Sequence, residues 1–134
     1  MITGRCECAK VRYEVDCELK DFCHCHCSIC RRLHGAAFAS WGGIARDKFS
    51  YISGEDSVKR YAFSENSDSI FCTHCASRLL VVSNPETHML YLALGTADGD
   101  LACPPGFHQF VGSKARWHEI HDDLPQYDEW PDES

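Results

Sequence analysis

Apolar and polar residues alternate at Val11, Arg12, Tyr13, Glu14 and Val15, a period of two that buries one face of a strand. Short apolar runs over residues 37–41, 48–52, 58–63, 78–82 and 89–94 are further strand candidates, separated by Gly, Ser, Asn, Asp or Pro. Gly42-Gly43, Ser53-Gly54 and Asp98-Gly99 read as turns. No window carries a long, capped apolar stripe at helical spacing, so helix is expected only as a turn or two over 28–34 and over 119–124. The pattern predicts a mainly β chain. With no linker, repeat or low-complexity run, it reads as one domain over 1–127 and a short acidic tail over 128–134.

Composition sharpens this picture. The 134 residues are 44% hydrophobic and 25% charged, enough to bury a core. No apolar run approaches the ~20 residues that span a bilayer. The opening residues lack the charged and apolar regions of a secretory signal, so a cytoplasmic location is expected. The net charge of −7 is uneven, because Glu119, Asp122, Asp123, Asp128, Glu129, Asp132 and Glu133 crowd the C-terminus without a Lys or Arg. A neutral body and an acidic tail argue against nucleic acid as a partner.

Ten cysteines change the picture most. Without a secretory signal or an Asn-x-Ser/Thr acceptor, cysteines at short spacing read as metal ligands rather than disulfides. Three groups stand out: Cys6-x-Cys8, Cys25-x-Cys27-x-x-Cys30 and Cys72-x-x-Cys75. Zinc is the expected ion, since thiolates favour it and the ferredoxin spacings of an iron–sulfur cluster are absent. Seven clustered sulfurs divide into four and three. Cys6, Cys8, Cys72 and Cys75 would close a tetrahedral structural site, contributing folding energy on the order of 10 kcal/mol. Cys25, Cys27 and Cys30 would leave a fourth position open, the geometry of catalytic zinc. The competing expectation is that His24, His26 or His74 completes this site and both ions are structural.

Zinc carrying three thiolates is a weak Lewis acid and prefers another thiolate as fourth ligand. A thiol substrate would then bind as an activated nucleophile. Arg31 and Arg32, directly after Cys30, offer forked donors to carboxylates on such a thiol. His26, between two ligands, is a candidate proton shuttle. Cys17, Cys23 and Cys103 read as free cysteines, with Cys23 close enough to be a spare ligand or redox partner. Trp41 and Trp117 read as core aromatics, and His118 and His121 as surface residues.

These residues resemble a known family. Gly4-Arg5-Cys6-Glu7-Cys8, Cys25-His26-Cys27-Ser28-Ile29-Cys30-Arg31 and Phe71-Cys72-Thr73-His74-Cys75 are similar to the motifs of the glutathione-dependent formaldehyde-activating enzyme (GFA) family, also called the GFA/centromere-protein-V domain. His108-Gln109-Phe110, Ser113-Lys114-Ala115-Arg116-Trp117 and Asp123-Leu124-Pro125-Gln126-Tyr127 resemble its C-terminal segment. The resemblance implies the Mss-four-like fold of short coiled antiparallel β-sheets with zinc knuckles, shared with the Rab-exchange chaperones and the B-type methionine sulfoxide reductases. It implies two zinc ions, structural on Cys6, Cys8, Cys72 and Cys75 and catalytic on Cys25, Cys27 and Cys30. The implied activity is carbon–sulfur lyase chemistry: condensation of glutathione with formaldehyde, or the reverse cleavage. The family has Gly where this chain has Ala9 and Ala76, which leads us to expect slightly different turns there. The alternative function is a non-catalytic, zinc-stabilised module that binds another protein. Methionine sulfoxide reduction is disfavoured because Cys103 lies in Ala102-Cys103-Pro104-Pro105 rather than in a nucleophile motif.

Overall fold

The computed structural model describes residues 1–83 and 88–131. The elements run β1 (Ile2–Arg5), β2 (Arg12–Val15), β3 (Asp21–Cys25), α1 (Ser28–His34), β4 (Ala39–Ala45), β5 (Phe49–Ser53), β6 (Val58–Ser64), β7 (Ser67–Cys72), β8 (Arg78–Ser83), β9 (Met89–Ala93) and β10 (Phe107–Gln109). They form a three-stranded sheet, β1-β2-β5, and a larger sheet ordered β10-β3-β4-β9-β8-β7-β6. The mainly β, antiparallel architecture expected from the sequence is therefore present. One pair departs from it: β10 runs parallel to β3, with His108 opposite His24 and Gln109 opposite Cys25. Asp132, Glu133 and Ser134 of the acidic tail lie outside the described residues.

The alternation around Tyr13 does what it predicts. Val11, Tyr13 and Val15 are buried against Leu19, Ile44, Ile70, Leu79, Leu80, Val82, Leu90 and Leu92, a core drawn from both sheets. Cys6 and Cys72 belong to this core. A second, smaller cluster holds Cys23, Cys25, Ala39, Trp41 and Ala93, with Cys27 and Cys30 packed on its fringe.

Two local expectations are corrected. Gly42 and Gly43 do not turn the chain; both lie inside β4, between β3 and β9. A Cβ on Gly42 would stand 2.7 Å from a Leu19 methyl, and one on Gly43 would stand 2.4 Å from Asp21 Oδ1. Glycine is there because neighbouring side chains cover the strand. No helix forms over 119–124 either. There the Asp122 carboxylate accepts the Leu124 N–H at 3.1 Å, an Asx turn that competes with helix. The segment straps β10 instead, through His108 N–H to the Pro125 carbonyl (2.8 Å) and Tyr127 N–H to the His108 carbonyl (2.9 Å). Among the described residues no helix is long and apolar enough to cross a membrane.

Candidate metal centres

The first centre joins two knuckles. Leaving β1, the Cys6 N–H donates to the Val11 carbonyl at 3.0 Å, and the Val11 N–H donates to Cys6 Sγ at 3.3 Å. Between β7 and β8 the Cys72 N–H donates to the Ser77 carbonyl at 3.0 Å, and the His74 N–H reaches Cys72 Sγ at 3.4 Å. Arg5 braces the first knuckle through the carbonyls of Cys6 and Glu7, and the Glu7 N–H donates to Ser77 Oγ at 3.0 Å, tying one knuckle to the other. Each knuckle turns through an alanine: Ala9 has φ 66° and Ala76 φ 65°. Alanine here adopts the left-handed backbone that glycine favours, at about 1 kcal/mol or more each.

The four sulfurs of Cys6, Cys8, Cys72 and Cys75 lie within 4.8 Å of one another. Cys6–Cys8 and Cys8–Cys72 are 3.6 and 3.8 Å apart. Tetrahedral zinc with bonds of about 2.3 Å would separate its sulfurs by about 3.8 Å, so the donor set fits that ion. None of the ten cysteines is in a disulfide.

The second centre is local. Cys25 ends β3 and Cys27 caps α1, its Sγ accepting the Cys30 N–H at 3.3 Å. The helix stops after two turns because Gly35 takes φ 57° and donates back to the Arg31 carbonyl. The three sulfurs lie within 4.8 Å of one another, and among the described residues no histidine or carboxylate joins them. Hydrogen bonds from Cys25 and then Cys30 draw the Cys27 thiol down to about 2, whereas the Cys25 and Cys30 thiols are pushed up. Three thiolates this close ionise together only around a cation, which is the chemistry this donor set fits.

The histidines expected to complete the centre are engaged elsewhere. His24 Nδ1 bonds Ser40 Oγ at 2.7 Å, and His74 Nε2 lies 3.3 Å from Ser57 Oγ. His26 is fully buried, and its Nε2 meets His108 Nδ1 at 2.8 Å. Burial, with His108 next, pushes the His26 imidazole down to about 4. His108 Nε2 in turn lies 3.0 Å from both Asp122 carboxylate oxygens. This run through His108 and Asp122 was invisible to motif reading, because the β10–β3 pairing assembles it.

Arg31 donates Nε to the Ser113 carbonyl at 3.2 Å, and Arg32 is exposed on the same helix. Cys23 joins neither sulfur group; it is buried beside Trp41, and burial pushes its thiol up to about 12. Trp41 is the expected core residue, but Trp117 is not, being 74% exposed. His121 is a surface residue, whereas His118 packs 5.4 Å from the Phe38 ring.

A protein of Halomonas elongata named "Putative glutathione-dependent formaldehyde-activating enzyme" is 26% identical over 127 residues, covering 90% of this chain and 81% of that protein. A crystal structure of a Rhodobacter sphaeroides protein superposes with a TM-score of 0.62 at 22% identity, over 73% of this chain and 89% of that one, which shows a shared fold. The family model described as glutathione-dependent formaldehyde-activating enzyme matches residues 1–113, which include both sulfur clusters, and the chain belongs to that family.

Proposed function

We propose that the chain is a zinc-dependent carbon–sulfur lyase that joins a small thiol such as glutathione to a small aldehyde such as formaldehyde, or cleaves the adduct. Cys6, Cys8, Cys72 and Cys75 hold a structural zinc, and Cys25, Cys27 and Cys30 hold a catalytic one. The observation carrying this reading is that no histidine or carboxylate among the described residues joins the three-sulfur group, in a chain whose family is named for this chemistry.

Bound to three thiolates, zinc supplies stabilisation of an incoming sulfur as thiolate, and so a nucleophile at neutral pH. Arg31 and Arg32, on α1 beside Cys30, pair with carboxylates of the thiol and orient it. His26, between two of the ligands, is the candidate proton shuttle of this reading. A reducing, cytoplasmic setting keeps the ligands reduced and supplies such thiols.

Zinc counting on wild type and Cys27→Ser tests this. Two zinc ions are expected in wild type. The variant should fold, carry one ion fewer and form no hydroxymethyl thioether from glutathione and ¹³C-formaldehyde by NMR. Global unfolding of Cys27→Ser, or unchanged zinc content, would instead favour a structural, protein-binding module.

A further inference from the structure

Arg78 opens β8, and the function proposed above leaves it unused. Its guanidinium lies 4.9 Å from the centre of the Phe71 ring, and Nη1 donates to Ser69 Oγ at 3.4 Å. Ser69 is buried, so its hydroxyl is a fixed acceptor. Among the described residues no carboxylate pairs with Arg78. The side chain is half-buried rather than covered, so a solute can reach it. A partly desolvated guanidinium, steadied by a ring and a hydroxyl, keeps most of its planar fork of donors for a ligand.

Strand register puts this cation on the face of the large sheet that carries the three-cysteine centre. Cys23, Trp41 and Ala93 pair across β3, β4 and β9 and are buried together with Cys25, with Cys27 and Cys30 on the fringe of that cluster. The face continues onto β8 through Val81, packed on the same cluster, and onto β7 through Ser69, opposite Val81. Phe71, two residues beyond Ser69, shares that side and pairs with Arg78 across a bulge. Arg78 therefore stands two strands from Trp41, about 10 Å across the sheet. His34 spans the interval. It follows Cys27 by seven residues and Cys30 by four, the spacing of one helix face, and its ring meets Trp41 at 5.4 Å. Burial pushes the His34 imidazole down, Arg78 adds to that push and the Cys27 sulfur opposes it, so both charges act on one ring. Cys27, Cys30, His34 and Arg78 are all partly exposed, which leaves sulfurs and guanidinium open to solvent on the same side of the sheet.

We propose that Arg78 sets which thiols the three-cysteine centre accepts, by pairing with a carboxylate of the molecule whose sulfur meets the three cysteines. The inference rests on the lyase reading above and narrows it to thiols that carry a carboxylate away from the reacting sulfur. A carboxylate matches the guanidinium fork, and a half-buried, pre-positioned fork binds it more strongly than a mobile surface cation does. Arg31 and Arg32 approach from α1 and Arg78 from the sheet, so a thiol with two carboxylates is held at both. The pairing lies away from the reacting atoms and is the same before and during the reaction. Its loss therefore raises KM and leaves kcat in place.

Kinetics of the zinc-loaded full chain with glutathione and with glutathione diethyl ester, whose carboxyls are blocked, test the assignment. In Arg78→Gln, KM for glutathione should rise about 10- to 100-fold, with kcat, zinc content and melting temperature unchanged. KM for the diester should be the same in variant and wild type. Unchanged KM for glutathione in Arg78→Gln, or an equal rise for both thiols, would overturn the proposal. The ester arm on wild type alone guards against a variant that does not fold, since equal KM values for glutathione and diester there would also overturn it. If wild type joins no thiol to formaldehyde, the lyase reading falls and glutathione binding followed by NMR decides alone. Weaker binding in Arg78→Gln than in wild type then upholds the anchor, and equal binding, or none to wild type, refutes it.

Discussion

The two sulfur centres use similar ligands for opposite architectural ends. In the first, Cys8 and Cys72 lie 64 residues apart in sequence, and the fully buried Cys6 and Cys72 form part of the main core. In the second, three cysteines lie within six residues around a short helix, on the fringe of a small cluster. A group that spans distant segments contributes to folding, because its ligands cannot converge until the sheets do. A group closed by local turns can lose its ion while the sheets persist. The difference teaches that ligand count alone does not assign roles; the sequence separation of the ligands does.

The largest effect expected is at Cys72. Cys72→Ser should abolish the cooperative unfolding transition followed by circular dichroism, whereas Cys27→Ser should retain it. A folded Cys72→Ser protein would erase the distinction. Next, a chelator titration should release one zinc with the far-ultraviolet spectrum intact and the second only as structure is lost. Simultaneous release would show that the centres are coupled.

Gly4→Ala probes the approach to the first knuckle. Its Cβ would sit 2.2 Å from Tyr13 Oη and 2.5 Å from the Thr96 carbonyl oxygen, a clash with a cost of about 1–3 kcal/mol in urea unfolding. The smallest effect runs the other way. Ala9→Gly and Ala76→Gly should each stabilise by a few tenths to about 1 kcal/mol, as relief of left-handed backbone outweighs added chain entropy. Destabilisation by either would mean the alanine methyl makes packing contacts that offset its strain.

Local features were readable from the sequence. The cysteine spacings predicted both sulfur groups, because a tight turn places nearby thiols together regardless of the rest of the fold. Residues 28–34 do form the helix expected after the central cysteines. What could not be read was set by tertiary context. Strand β3, Asp-Phe-Cys-His-Cys, shows no alternation and forms because β4 and β10 pair on either side of it. Gly42 and Gly43 look like a turn until Leu19 and Asp21 are seen covering them. Asp122 looked like one more carboxylate of an acidic run, and only the parallel β10–β3 register brings His108 between it and His26.

The long separation within the first centre has a consequence during synthesis. Cys8 leaves the ribosome 64 residues before Cys72, roughly 3 to 13 s earlier at about 5–20 residues per second. Throughout that interval the nascent chain displays Cys6 and Cys8 without their partners, while Cys25, Cys27 and Cys30 emerge beside them. An ion captured early can bridge the wrong sulfurs, so free zinc during translation should set the yield of correctly folded chain as much as the thermodynamics of the finished sheets does.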